Sequence, residues 1–275
     1  MHASIMAIKN AGIDASEIDF ILYATCTRDQ PLPNTASILQ RKLGLTNRCA
    51  CLDIEAACSG FIYGHSIAHS MIQTGIKKNV LVVGAEILSK FINWADRQSC
   101  ILFGDGAGAM IIGLDDSNSS QDDSPYGAVL EADSIGVELI HVPVGGTNIP
   151  LTEENRHQNE HVINLAGREV FKLAVRTMAE NSLEALKQAG LTLNDVNWVI
   201  PHQANLRIIN AVIKKLEVPR EKVVINIEKY GNTSAATIPL AFHEAIDDGR
   251  IKRGDIVLFT GFGSGVTSGS VVFKY

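Results

Sequence analysis

Long apolar runs are missing from this 275-residue chain: no stretch approaches the ~20 residues a membrane-spanning helix needs. A secretory signal is also missing at the start, where Met1-His-Ala-Ser-Ile-Met-Ala reads as the middle of an amphipathic helix. Cysteine is scarce. The five, Cys26, Cys49, Cys51, Cys58 and Cys100, are odd in number and lack paired spacing, which is poor material for a disulfide framework. A reducing cytoplasm is the expected setting, with no membrane partner. Metal spacing is absent too, since Cys49 and Cys51 have no matching pair later. His65 and His69 share a helix face at i, i+4 without the glutamate of a zincin motif, and read as solvent-facing. Nor is there a basic excess: the net charge of -6 argues against wholesale nucleic-acid binding. What remains, 46 % hydrophobic with 20 % charged residues, is ordinary globular composition and enough for a large core.

The chain repeats itself. Ala11-Gly-Ile-Asp-Ala-Ser-Glu-Ile-Asp-Phe-Ile-Leu22 aligns with Ala189-Gly-Leu-Thr-Leu-Asn-Asp-Val-Asn-Trp-Val-Ile200. Each reads as a glycine-capped helix end, a short polar turn and a buried strand. Asp53-Ile-Glu55 then pairs with Asn226-Ile-Glu228, and Val80-Leu-Val-Val-Gly84 with Val257-Leu-Phe-Thr-Gly261, in the same order. Three matches in register predict two related α/β halves built on mainly parallel strands. The expected division is residues 1–114, a connecting or lid region 115–160, and residues 161–275. The Ser/Asp-rich stretch from Asp115 to Asp123 reads as a surface loop, and Pro143 to Asn159 as a rim or lid. The helix before Ala189 starts near Leu165, whereas only ten residues precede Ala11, so the first half is expected to lack part of a helix and a strand. A shorter first helix is the alternative.

Three strand-to-helix junctions carry candidate chemistry. In Asp53-Ile-Glu-Ala-Ala-Cys58-Ser-Gly-Phe, Cys58 is expected where a helix begins, the positive end of its dipole favouring the thiolate. A buried structural cysteine is the blander reading. Val199-Ile-Pro-His202-Gln-Ala-Asn205-Leu-Arg207 sets a histidine at a second junction, and Tyr230-Gly-Asn232-Thr-Ser-Ala-Ala places Asn232 near the repeat position of Cys58. A structural histidine and an N-cap asparagine are the alternatives there, but the junction end of an α/β sheet is where sites collect. Gly261-Phe-Gly-Ser264-Gly265, between two strand patterns, is expected to bring backbone N–H groups near Cys58. Phe103-Gly-Asp-Gly-Ala-Gly-Ala109 leads into a strand and is no dinucleotide fingerprint, which opens a helix instead. Arg207, Lys214 and Lys215 share one face of a helix whose other face is Ile208, Ile209, Val212 and Leu216. That face is a basic ridge for an acidic partner or an ordinary solvated surface.

With the Cys58 segment, Phe103 to Ala109, Ala166-Gly167-Arg-Glu-Val-Phe171, Pro201-His-Gln-Ala-Asn-Leu-Arg-Ile-Ile and Gly231-Asn-Thr-Ser-Ala-Ala in place, the chain resembles the 3-oxoacyl-[acyl-carrier-protein] synthase III family. The resemblance runs from Met1 to Tyr275. It implies a thiolase-like fold of two duplicated α/β halves with five-stranded-type sheets sandwiched by helices, a homodimer, and no metal or redox cofactor. It implies decarboxylative condensation of an acyl-CoA with malonyl-acyl carrier protein, initiating fatty-acid synthesis. Cys58 would be acylated, His202 and Asn232 would assist decarboxylation, and the N–H of Cys58 and one near Ser264 would hold the oxyanion. Neutral His202 can donate from one ring nitrogen, and Asn232 donates without ever charging. Arg97, Asn205, Phe171 and Gly167 would meet coenzyme A or its pantetheine. Lys172 would join Arg207, Lys214 and Lys215 against the carrier protein, and Leu32 and Phe103 would border the acyl pocket.

Two departures accompany the resemblance. The family carries about fifty further N-terminal residues with a central strand, whose loss would strand backbone groups. Leu32 replaces a phenylalanine usual in the family, which predicts an altered acyl preference. The alternatives carried forward are a condensing relative from secondary metabolism and a truncated, non-catalytic dimerising fragment.

Overall fold

The computed structural model describes residues 1–97, 99–114, 124–157 and 160–275. Its elements are α1 (His2–Ala11), β1 (Phe20–Ala24), α2 (Thr35–Lys42), β2 (Ala50–Ile54), α3 (Gly60–Gln73), β3 (Asn79–Ile87) and β4 (Asp105–Gly113). There follow β5 (Tyr126–Ala132), β6 (Ile140–His141), α4 (Glu153–His157), β7 (Asn164–Leu165), α5 (Gly167–Gln188) and β8 (Trp198–Pro201). The last are α6 (Leu206–Leu216), α7 (Ile227–Tyr230), α8 (Thr237–Asp247), β9 (Ile256–Gly263) and β10 (Thr267–Lys274).

The repeat is visible residue by residue. α1 and α5 both run out at a left-handed glycine, Gly12 at φ 69° and Gly190 at φ 68°, where a side chain would be strained. A capping box follows each, Asp14 with Glu17 and Thr192 with Asp195, and turns the chain into β1 or β8. The sheets then order as β2-β1-β3-β4 and β5-β10-β9-β8. Val223 adds a parallel bridge to Val199, the counterpart of β2 beside β1.

Strand alternation sorts the core into layers. Phe20, Leu22 and Val82 of the first sheet face Phe259 and Val271 of the second across Phe61 and Ile62 of α3 and Ile238 and Phe242 of α8. Ile21, Leu81 and Val83 turn the other way onto Ile8 of α1 and Leu39 of α2. Val199, Leu258 and Val272 likewise meet Leu186 of α5 and Ile209 of α6. The fold is thus helix, sheet, helix, sheet, helix.

Three expectations change. Strands are less parallel than expected: β1–β2, β1–β3 and β8–β9 are parallel, whereas β3–β4, β9–β10 and β10–β5 are antiparallel. The turn Ser264–Val266 is short enough to fold β10 straight back on β9, which forces that antiparallel pairing. Each of the two large sheets has four strands among the described residues, not five. The second half also begins before residue 161, because β5 pairs along its length with β10. The expected loop 115–123 lies outside the described residues. The described part of the rim carries α4 and is flanked by the β6–β7 ribbon.

Candidate active site

β2 ends at Ile54, and a 3₁₀ turn of Ala57–Ser59 carries Cys58 before α3 begins at Gly60. Ala57 is held at φ 44°, a conformation unfavourable for a residue with a Cβ. The Ser59 and Thr267 hydroxyls both close on the Ala56 carbonyl at 2.8 Å and pin the turn. The second half repeats the device: the 3₁₀ turn Ser234–Ala236 precedes α8, with Ser234 at φ 51°. By this alignment the counterpart of Cys58 is Ala235, so Asn232 lies three residues earlier than the expected equivalence.

Cys58 retains some surface, but the protein packed around its sulfur pushes the thiol up to about 12, against a hydrogen bond with Ser234 that pulls it down. Burial thus works against the thiolate that the helix start favours. Beside Cys58 the end of β9 comes so close that a Cβ on Gly263 would stand 2.7 Å from the Cys58 nitrogen. The next residue, Ser264, donates its hydroxyl to the Ile140 carbonyl, tying this turn to β6.

Asn232 is buried, and its Oδ1 accepts from the Ser234 N–H at 2.9 Å, which leaves its Nδ2 hydrogens as the donors it can offer. The Asn232 backbone is fixed on both sides of Phe103, donating to Leu102 at 2.8 Å and accepting from Gly104 at 2.9 Å. His202 is buried, and its Nδ1 lies 2.7 Å from Thr237 Oγ1. The single Thr237 hydroxyl proton goes to the Ser234 carbonyl at 3.0 Å, so Nδ1 is the donor and the lone pair sits on Nε2. Burial holds the ring neutral, lowering it to about 3. The donor nitrogen foreseen for a substrate is thus spent on Thr237, unless that hydroxyl turns to donate to Nδ1 and frees Nε2–H. A Cβ on Gly261 would lie 3.5 Å from His202 Cβ and 3.8 Å from the Cys58 carbonyl, so the two junctions meet across that glycine.

Sequence reasoning missed Ser234, Thr237 and Glu86, which join these groups. Glu86 of β3 is 2 % exposed and accepts from Thr25, Cys26, Thr27 and Ser234. Its signal was available: one carboxylate inside the apolar strand Asn-Val-Leu-Val-Val-Gly-Ala-Glu-Ile.

The expected binding residues lie outside this network. Arg97 is exposed on a turn, Asn205 caps α6 by accepting from Ile208 N at 2.9 Å, and Gly167 opens α5 with Phe171 a turn on. Lys172, Arg207, Lys214 and Lys215 are exposed on α5 and α6, Lys215 lying 4.0 Å from Glu180. Leu32 is 84 % exposed. His65 is not solvent-facing: it is 3 % exposed, stacks on Tyr126 and meets Phe259 and Phe273, because the second sheet covers that face of α3. Among the described residues, no three His, Cys, Asp or Glu are grouped to hold a metal ion, and no helix is long and apolar enough to cross a membrane.

Known proteins share this fold and much of this sequence. The family profile for 3-oxoacyl-[acyl-carrier-protein (ACP)] synthase III matches residues 52–130, and that for its C-terminal part matches residues 186–275. The beta-ketoacyl-[acyl-carrier-protein] synthase III of Roseiflexus sp. (strain RS-1) is 47 % identical over 272 residues, 98 % of this chain and 80 % of that protein. The crystal structure of 3-oxoacyl-[acyl-carrier-protein] synthase III from Aquifex aeolicus VF5 superposes with a TM-score of 0.88 at 44 % identity, over 99 % of this chain and 82 % of that one. The priming beta-ketosynthase of the R1128 polyketide biosynthetic pathway gives 0.87 at 32 % identity, over 99 % of this chain and 79 % of that one. With a thiolase fold, the junction cysteine and this degree of identity, the chain belongs to the 3-oxoacyl-[acyl-carrier-protein] synthase III family of condensing acyltransferases.

Proposed function

We propose that the protein condenses an acyl-CoA with malonyl-acyl carrier protein through an acyl-Cys58 intermediate, with His202 and Asn232 assisting decarboxylation. One observation carries the reading: the turn packed against that of Cys58 ties Asn232 to the Ser234 N–H and His202, through Thr237, to the Ser234 carbonyl. Cys58 attacks the acyl carbonyl, and the backbone N–H groups of Cys58 and Ser264 receive the oxyanion, each such donor being worth about 10²–10³ in rate. Coenzyme A leaves. The malonyl thioester oxygen then accepts from Asn232 Nδ2 and from His202 Nε2–H once Thr237 has turned. Loss of CO₂ gives an enolate whose carbon attacks acyl-Cys58 and releases the 3-oxoacyl-carrier protein.

Arg97, Asn205, Phe171 and Gly167 are assigned to coenzyme A and its pantetheine, and Leu32 and Phe103 to the acyl pocket. Arg207, Lys214, Lys215 and Lys172 supply exposed positive charge for an acidic carrier protein, and exposed Leu32 suits burial against a second copy in a homodimer. A cytoplasmic setting without metal or redox cofactor completes the assignment. A second reading, priming in secondary metabolism, is favoured by the likeness to the R1128 enzyme; donor and acceptor choice separates the two.

Intact mass measured after incubation with acetyl-, isobutyryl- and octanoyl-CoA is expected to show one acyl adduct, absent from Cys58→Ala. An adduct persisting on the variant, or none on the parent, overturns the reading. An unmodified acetyl preference would sink the role of Leu32. Thr237→Val is expected to orphan Nδ1 of His202, lowering stability in urea by about 1–3 kcal/mol and slowing malonyl decarboxylation about tenfold, with Thr237→Ser restoring both. Unchanged decarboxylation would separate the ring's tautomer from the chemistry.

A further inference from the structure

Gln203 stands beside His202 and has no part in the chemistry assigned so far, yet it is 1 % exposed and both polar atoms of its side chain are bonded to backbone. Its Nε2 donates to the Pro201 carbonyl at 2.7 Å and to the Val224 carbonyl at 3.3 Å, and its Oε1 accepts from the Asn226 N–H at 3.1 Å. Two carbonyls at one atom and an N–H at the other leave a single orientation for the carboxamide. Giving to residue 224 while accepting from residue 226 is the rung that a parallel strand forms opposite Ile225. The neighbouring rung is made by backbone: Val199 bridges Val223, and the Val224 N–H donates to the Val199 carbonyl at 3.0 Å. The next one therefore falls to residue 201, two further along β8. Residue 201 is proline, which has no N–H to give, and the Gln203 side chain takes its place. The first half needs no such device. There β1 pairs with β2 as far as Ala24 and Ile54, and the Thr25 N–H bonds the Ile54 carbonyl at 3.1 Å. Thr25 is the repeat counterpart of Gln203, each standing three residues beyond the aligned Leu22 and Ile200.

We propose that Gln203 is a positioning residue for decarboxylation, fixing where Asn232 stands relative to His202. The inference rests on those two side chains acting together on the malonyl thioester oxygen. Each end of the bracket leads to one of them. The Pro201 carbonyl belongs to the peptide that enters His202. Asn226, 3 % exposed, opens the segment that runs to Asn232, and from Ile227 to Tyr230 that segment buries no side chain. Without apolar anchorage, α7 is held by polar ties at its ends. Leading into it are Gln203 on the Asn226 N–H and Glu244 of α8 on Asn226 Nδ2, the latter at 2.8 Å. Beyond it are the backbone bonds of Asn232 to Leu102 and Gly104. One oxygen must meet donors from both His202 and Asn232, and a misplacement of about 1 Å between such groups is worth as much as about 10²-fold in rate. Acylation of Cys58 draws on neither donor, so the two half-reactions should respond differently.

The experiment follows both half-reactions in each variant: acyl loading of Cys58 from acetyl-CoA by intact mass, and release of CO₂ from malonyl-acyl carrier protein. Gln203→Met keeps the length of the side chain and removes all three hydrogen bonds. It is expected to slow decarboxylation about tenfold or more while loading stays within about twofold of the parent. In an Asn232→Ala background the same substitution should add less than about twofold, because the carboxamide it would misplace is gone. A residue that only stabilised the fold would lower both half-reactions alike and act additively with Asn232→Ala. Equal losses in the two half-reactions, additivity, or decarboxylation at the parent rate overturns the proposal. Should Gln203→Met fail to fold, Gln203→Glu decides by the same split; it keeps the shape and the bond from Asn226 but turns an oxygen toward the Pro201 and Val224 carbonyls. The reading of His202 and Asn232 fails separately, if Asn232→Ala decarboxylates at the parent rate.

Discussion

Gly263→Ala is expected to slow acylation of Cys58 by about 10²–10³-fold while the protein stays folded. Gly263 has φ -143° and ψ -176°, extended backbone that alanine adopts without strain. Contact, not conformation, is the obstacle: the added Cβ would meet the Cys58 nitrogen at 2.7 Å and the Ser59 nitrogen at 3.2 Å. Either the Cys58 turn backs away or β9 does, and both displace the N–H groups assigned to the oxyanion. The stability loss should remain in the range of a modest overpacking, about 1–3 kcal/mol. Stopped-time mass spectrometry gives the acylation rate and urea unfolding the stability. A rate within threefold of the parent would remove the oxyanion assignment from this turn.

Gly84→Ala should do the reverse, costing more stability than any exposed change and taking activity with it. Gly84 lies in β3, and a Cβ there would stand 2.2 Å from the Ala235 oxygen, 2.8 Å from its carbonyl carbon and 3.3 Å from the Ala236 nitrogen. Every neighbour is backbone, so no rotamer change relieves the clash; the two halves must part. A loss of at least ~3 kcal/mol in urea unfolding is expected, at the upper end for single substitutions. A loss below about 1 kcal/mol would mean that the seam yields easily, and the close approach would lose its significance.

The sequence carried the repeat and the three junctions because both depend on local pattern: a glycine-capped helix end, a capping box and a strand leave their marks within a dozen residues. The junction positions of Cys58, His202 and Asn232 were legible for the same reason. What failed to show depends on which faces meet. His65 looked exposed on α3 because periodicity alone cannot say that a second sheet covers that side. β5 was read as connecting chain because its partner, β10, is more than a hundred residues away. Thr237 and Ser234 look like ordinary residues at a helix start, and only folding sets them between His202 and the turn that carries Cys58. Glu86 was the recoverable omission, since a carboxylate in an apolar strand asks for a partner.

The matching turns at Ala57–Ser59 and Ser234–Ala236 face each other across the boundary between the halves. Neither half holds all of the assigned groups: one brings the Cys58 sulfur and Glu86, the other His202, Asn232 and the Ser234 hydroxyl that reaches Glu86. A nascent or partly opened chain therefore holds Cys58 apart from His202 and Asn232. Under the proposed mechanism, assembly and activity are coupled, because only a correctly docked molecule brings the three groups together.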